Sequence, residues 1–474
     1  MDSRYKRLGI NTATVFLGSA GSKIIGFLML PFYTHYLSTE DYGVSSLITT
    51  YSAISVAIFT CCIADAIFIF PKNSDFEGRK KFFSSGLFFL ACTFILCAIA
   101  CAFLRLFSII FSWSGTFFNM IWWLYGFAIS EYFQRYIQQF CRSIDKMRVY
   151  AISGVVLTIT LALLALLLLP KYGLVGYLWS IVGANIFAGV YTLLASGTWK
   201  FISLNGFSKN HLIILLTYGI PLIPNGLMWW LVNGINRPIM EHELGLGSIG
   251  IYAVAEKFPS ILNMLFVIFS NAWSISMLEE FQKPDFNSFF NKTVKVLFFI
   301  TIIGGCVITI FSKVLIRVFA APEYFESWRY VPLLTLSIIL QCLSGLIGGV
   351  FMAEKKSKYF FYSSIWGAAM SILFTWPLTR LFGIAGVAIA VALSFLCMII
   401  VRLNYAWKYI SLFDIKYFVT ILFFYISFIA EYFFDLGSLI DAITFLLVMC
   451  LIFIVSKDVI LALYSRLVIK DYFK

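Results

Sequence analysis

Fourteen apolar stretches, each close to twenty residues long, recur along the 474-residue chain. They fall near 10–31, 44–69, 83–107, 117–139, 150–169, 173–195, 213–236, 249–273, 293–319, 328–352, 359–379, 384–404, 415–434 and 439–464. A run of about 20 apolar residues matches the hydrocarbon core of a bilayer, about 30 Å thick, when wound as a helix. Barrel strands give a weaker alternation over roughly ten residues, so helical spans are expected. Charged residues are only 12% of the chain, against roughly 25% in soluble domains. The expected fold is an all-α integral membrane protein of about 14 transmembrane helices. The segments between spans are too short for a soluble domain, the longest being about twenty residues. The first span lacks a small-residue cleavage pattern and is expected to be retained.

The net charge of +12 has an explanation other than nucleic acid. With an even number of spans, both termini share one side. Twenty-five of the 35 Lys and Arg residues fall in the segments on that side, including Lys80, Arg148, Lys356, Arg402 and Lys408. Six fall opposite: Lys171, Arg237, Lys313, Arg317, Arg329 and Arg380. This asymmetry predicts cytoplasmic termini by the positive-inside rule, and no nucleic-acid partner is expected. The ten cysteines lie in or beside apolar segments without metal-ligand spacing; no metal and no cofactor is expected.

The stretch "PFYTHYLSTEDYGV" from Pro31 is echoed by "PIMEHELGLGSIGI" from Pro238, with Pro, His, Leu and Gly in register. "KMRVY" after span 4 is echoed by "KSKYF" after span 10, and "YGLVG" (Tyr172–Gly176) by "FGIAG" (Phe382–Gly386), both at an offset of 210. Spans 1–6 and 7–12 therefore read as two copies of a six-helix unit in the same orientation, related by a pseudo-two-fold along the membrane normal. The expected division is 1–205, 206–410, and an appendage of two helices over 411–474. His35 and His242 read as turn residues.

A duplicated bundle creates a central seam, and polar residues inside spans point to it. Taken as one straight helix, span 8 places Glu256, Ser260, Asn263, Ser270, Asn271 and Ser274 on one face. Span 7 places Tyr218, Asn225, Trp229 and Asn236 on one face, and span 1 carries Thr12, Ser19, Lys23 and Gly26. Pro221, Pro224 and Pro259 are expected to interrupt spans 7 and 8. Lys23 and Lys257 each fall roughly 12 Å inside the outer edge of the core. Cations at that depth face a cavity or pair with carboxylates such as Glu256 or Glu131. Glu131 and Arg135 are spaced to pair along one helix. Arg237 is expected at the cavity mouth. The candidate cavity residues are thus Lys23, Lys257, Glu256, Asn263, Asn225, Glu131, Arg135 and Arg237, a set suited to an anion. Nothing marks a catalytic centre.

"YGIPLIPN", "INR" and "LGLGSIGIYAVAEK", together with the Pro31 turn and "YGLVGYLWSIVGANI", resemble the polysaccharide-transporter branch of the multidrug/oligosaccharidyl-lipid/polysaccharide (MOP) exporter superfamily. The resemblance runs over all fourteen spans and is strongest to O-antigen flippases. It implies a MOP/MATE-like fold in a bacterial inner membrane. It further implies translocation of an undecaprenyl-pyrophosphate-linked oligosaccharide by alternating access, with cavity cations holding the pyrophosphate. Membrane lipids, a coupling H+ or Na+ and polysaccharide-assembly proteins are the further partners it implies. The family often carries Asp-Arg where this chain has Asn236-Arg237. A multidrug or lipid II-type exporter of the same superfamily, or a membrane polysaccharide polymerase, are the competing expectations. A polymerase or glycosyltransferase normally needs a large outward loop or a soluble catalytic region, and this sequence has neither.

Overall fold

The computed structural model describes residues 21, 24–111, 115–354, 356–411 and 413–461. Every regular element among them is helical. In chain order these are α1 (Leu30–Tyr36), α2 (Thr39–Phe59), α3 (Ile63–Ile69), α4 (Phe76–Ile110), α5 (Thr116–Asn119), α6 (Ile121–Ser143), α7 (Met147–Ser196), α8 (Lys209–Gly219) and α9 (Ile223–Asn233). There follow α10 (Asn236–Leu244), α11 (Leu246–Lys257), α12 (Ser260–Glu280), α13 (Phe286–Phe319), α14 (Val331–Ala353), α15 (Ser357–Ala406), α16 (Ile415–Phe433) and α17 (Ser438–Val455). Nine helical segments among the described residues are long and apolar enough to cross a membrane, or ten with the bent pair α11–α12. The all-α membrane architecture expected from the sequence is therefore present.

Two of those segments do more than cross once. Helices α7 and α15 are each 50 residues long, about 75 Å if straight and more than twice the core thickness. Each is instead folded back at a glycine: Gly173 at φ 55°, ψ −134°, and Gly383 at φ 59°, ψ −136°. Only glycine adopts that backbone freely. A Cβ on Gly176 would collide with the carbonyl oxygen of Leu168, and one on Gly386 with that of Leu378. Residues eight apart touch only across a hairpin, since a straight helix separates them by about 12 Å. Each 50-residue segment therefore supplies two antiparallel spans. The same turn recurs 210 residues later, at the offset of the "YGLVG" and "FGIAG" echo.

Other breaks follow local chemistry. Helix α2 starts at Ser38, whose Oγ accepts the Asp41 N–H at 3.1 Å, a standard N-cap. It ends at Phe59, and Cys61 and Cys62 follow, both with left-handed φ of about 50°. Pro221 opens the 3-10 turn Ile220–Leu222 between α8 and α9. Pro259 separates α11 from α12, which meet at a bend of 50°.

Backbone packing divides the chain into two compact units: Met1–Trp230 with Gly245–Gly250, and Leu231–Leu244 with Ile251–Lys474. The core of the first is aromatic. Phe83, Tyr132, Tyr136 and Phe140 are all at most 1% exposed, and the Tyr136 hydroxyl donates to the Phe83 carbonyl at 2.8 Å. The segment after α7 is stitched to α4: Ser84 donates to the Phe201 carbonyl and accepts from the Ser203 N–H, and Ser85 accepts from the Ser208 N–H. Residues Gly245–Gly250 pack on the start of α2, with Gly43 against Leu246 and Gly250 against Thr39.

In the second unit, α16 and α17 are fastened to α13 at two levels. Lys295 reaches Asp414 at 2.7 Å. Lys313, eighteen residues further along the same helix and so about 27 Å away, bridges Asp435 and Asp441. Between them, Tyr425 and Thr309 share a hydrogen bond at 3.2 Å. The last two spans are thereby an integral part of this unit.

Candidate functional site

The candidate residues divide between two polar regions. In the first unit, Glu131 on α6 is half-buried, with the Ser52 hydroxyl donating to its Oε2 at 3.4 Å. Arg135, one turn away, does not pair with Glu131 as its spacing suggested. Its Nη2 lies 3.3 Å from Asp65 Oδ1 on α3. The break at Cys61–Cys62 turns α3 so that the Asp65 carboxylate reaches α6. Asn225, on α9, holds its side-chain oxygen buried and without a hydrogen-bond partner among the described residues.

The second unit gathers the denser cluster. Glu256, near the end of α11, receives Arg237 Nη2 on Oε2 at 2.6 Å. The Arg237 side chain is 12% exposed, with Nη1 donating to the Asn233 carbonyl at 3.2 Å and its guanidinium 5.5 Å from the centre of the Tyr252 ring. Arg237 is thus held inside the unit by a carboxylate. That carboxylate pairs with Arg237, 19 residues earlier in the chain, and Lys257, next to it in sequence, is exposed and makes no ion pair among the described residues.

Beside this pair lies a cavity of about 20 Å³, bordered by Asn233, Asn236, Tyr252, Glu256, Ser337 and Gln341. It is the size of one water molecule or a small ion. Asn236 is fully buried; its Nδ2 donates to the Tyr252 hydroxyl at 3.1 Å, and its Oδ1 has no partner among the described residues. Ser337 and Gln341 were not singled out from the sequence. They lie four residues apart on α14, so on one face of a mostly apolar span, which was the available signal.

The straight polar stripe expected along span 8 is interrupted. The bend at Pro259 separates Glu256, on α11, from Asn263, Ser270 and Ser274, on α12. Asn263 is half-buried, and Ser274 turns its hydroxyl back to the Ser270 carbonyl at 2.9 Å. Lys23 and most of the first span lie outside the described residues. Among the described residues no group of His, Cys, Asp and Glu could hold a metal ion.

A family model described as "Polysaccharide biosynthesis protein" matches residues 8–282. The chain belongs to this family. The polysaccharide biosynthesis protein family reading agrees with the solved structures that share the fold. A lipid II flippase MurJ in an inward closed conformation aligns at a TM-score of 0.65 and 16% identity, over 95% of this chain and 99% of that one. An inward-facing multidrug-resistance MATE transporter of the MOP superfamily aligns at 0.69 and 13%, over 85% and 98%. A MOP superfamily transporter from Pyrococcus furiosus, described as having a binding pocket of reverse polarity, aligns at 0.57 and 13%, over 84% and 94%. No curated protein sequence matches significantly. The family member described here therefore has the fold of MOP superfamily transporters.

Proposed function

We propose that this protein is a flippase that carries a polyisoprenyl-pyrophosphate-linked oligosaccharide, of the O-antigen or a related surface-polysaccharide class, across a bacterial inner membrane. The observation that carries the reading is Lys257. It is a cation within a span, without a carboxylate partner among the described residues, while the adjacent Glu256 is taken by Arg237. A cation at membrane depth is costly unless it faces water or an anion, and a pyrophosphate is the anion that the family's lipid-linked substrates bring. An apolar groove of about 470 Å³, formed by α14, α15 and α16 and lined by residues such as Leu340, Leu422 and Ile426, suits an isoprenoid tail. In this reading Lys257 contributes positive potential to the cavity that receives the pyrophosphate. Electrostatic attraction is far stronger there than in water.

Glu131 favours a second reading. A half-buried carboxylate with one hydroxyl partner suits a cationic drug or a coupling cation, as in a multidrug exporter. One experiment separates the two: complementation of a flippase-deficient strain by Lys257→Ala, Lys257→Arg and Glu131→Gln, with membrane-inserted protein quantified. Under the flippase reading Lys257→Ala loses most of its activity and Lys257→Arg retains much of it. Failure of the unsubstituted protein to complement, with Glu131-dependent export of a cationic drug by the same cells, would favour the cation exporter.

A further inference from the structure

Arg402 is the largest side chain that the fold encloses completely among the described residues, at 0% exposure. Sequence charge counting assigned it to a cytoplasmic segment beside Lys408; the structure instead draws it into the second unit, on the outgoing arm of the α15 hairpin. Its Nε donates to the Ser363 hydroxyl at 3.0 Å, its Nη1 donates to the Ser344 carbonyl, and its guanidinium lies 4.4 Å from the centre of the Phe360 ring. None of these partners is negative, and no ion pair involves Arg402 among the described residues. A buried charge is ordinarily paired.

Two polar atoms at this point have no partner among the described residues. Among the described residues, Arg402 Nη2 donates to nothing, and neither does the Ser344 hydroxyl. In the same helices Thr335 turns its hydroxyl back to the Val331 carbonyl at 2.7 Å and Ser394 to the Ala390 carbonyl at 2.8 Å. Ser344 does not, so its O–H is left available beside the available N–H groups. Gly348, one turn after Ser344 on α14, keeps the place clear: a Cβ there would lie 2.8 Å from Arg402 Nη1. The unpartnered atoms present N–H and O–H groups beside a guanidinium that has no carboxylate partner among the described residues. Its complete enclosure limits an occupant to a very small one.

We propose that Arg402 Nη2 and the Ser344 hydroxyl bind a single monatomic anion of the chloride class. The anion neutralises the buried guanidinium at the point where α14 meets both arms of the α15 hairpin. It thereby acts as a structural clamp, separate from the Arg237–Glu256 cluster.

The test uses the full chain in detergent, with sodium concentration held constant while chloride or bromide replaces gluconate. Thermal unfolding should shift upward by several degrees and saturate with halide, as expected for a ligand bound only by the folded state. Arg402→Met should abolish the halide response. Ser344→Ala, which keeps the Nη1–carbonyl bond, should need about tenfold more halide for the same shift, the equivalent of one hydrogen bond; it carries the comparison if Arg402→Met does not accumulate. Bromide-soaked crystals should show an anomalous peak within hydrogen-bond distance of Nη2. Equal stability in gluconate, an unchanged response in both variants, or a non-anomalous water at Nη2 would each overturn the site.

Discussion

Gly43 faces the carbonyl oxygen of Leu246, and Gly250 faces that of Thr39. Each pair maps onto the other by the 207-residue spacing that relates the Pro31 and Pro238 turns. A Cβ at either glycine would enter the space of a backbone oxygen, which cannot swing aside as a side chain would. Gly43→Ala and Gly250→Ala should each therefore cost about 1–3 kcal/mol. The check is the unfolding midpoint of the purified variants alongside Gly226→Ala, a control because a Cβ there meets nothing within 4 Å. A midpoint for Gly43→Ala equal to that of the control would remove the close-approach argument.

The Arg237–Glu256 pair should behave as a unit. Glu256→Gln leaves a mostly buried guanidinium without its anion and should destabilise by roughly 1–3 kcal/mol. Removing both charges, as Arg237→Met with Glu256→Gln, should recover part of that loss. A double-mutant cycle on thermal stability reads the coupling directly; additive losses would mean the pair contributes no net interaction.

The two glycine hairpins make a topological prediction. Single cysteines at Tyr172 and Phe382 should label from the same side of the membrane as one at Thr39, and cysteines at Lys80, Arg148 and Lys356 from the opposite side. The basis is the reversal of direction at Gly173 and Gly383 together with the positive-inside bias. Labelling of Tyr172 from the Lys80 side would contradict both.

Asp414 links stability to acid. It lies between α15 and α16, outside the spans. The hydrogen bond from Lys295, supported by the Tyr417 backbone N–H, holds its carboxyl below the usual carboxylate range. A carboxyl with a depressed folded pKa adds stability above its unfolded value, near 3.9, and loses it as pH falls through the folded value. Asp414→Asn should thus lower the unfolding midpoint at pH 7 and flatten its fall below about pH 4, measured as midpoint against pH. An acid limb identical to that of the unsubstituted protein would assign the acid sensitivity elsewhere.

Much of this was legible in the chain itself. Hydropathy is a local quantity, and a twenty-residue apolar run has few alternatives to a spanning helix once water is absent. The turns at Gly173 and Gly383 were visible as matching motifs because a backbone conformation open mainly to glycine constrains sequence directly. Prolines 221 and 259 marked real breaks for the same reason: they remove a backbone donor wherever they fall.

What only the tertiary structure decided is which charges meet. Spacing suggested Glu131 with Arg135, yet Arg135 binds Asp65, seventy residues away, because the break at Cys61–Cys62 re-aims α3. Adjacency suggested Glu256 with Lys257, yet neighbours on a helix point in different directions and Glu256 turns to Arg237. Arg402 looked like an interfacial charge by position and is instead fully enclosed. A sequence fixes the period and length of each helix, whereas its rotation about its own axis is set by the packing of its neighbours. A charge's partner and its solvation depend on that rotation.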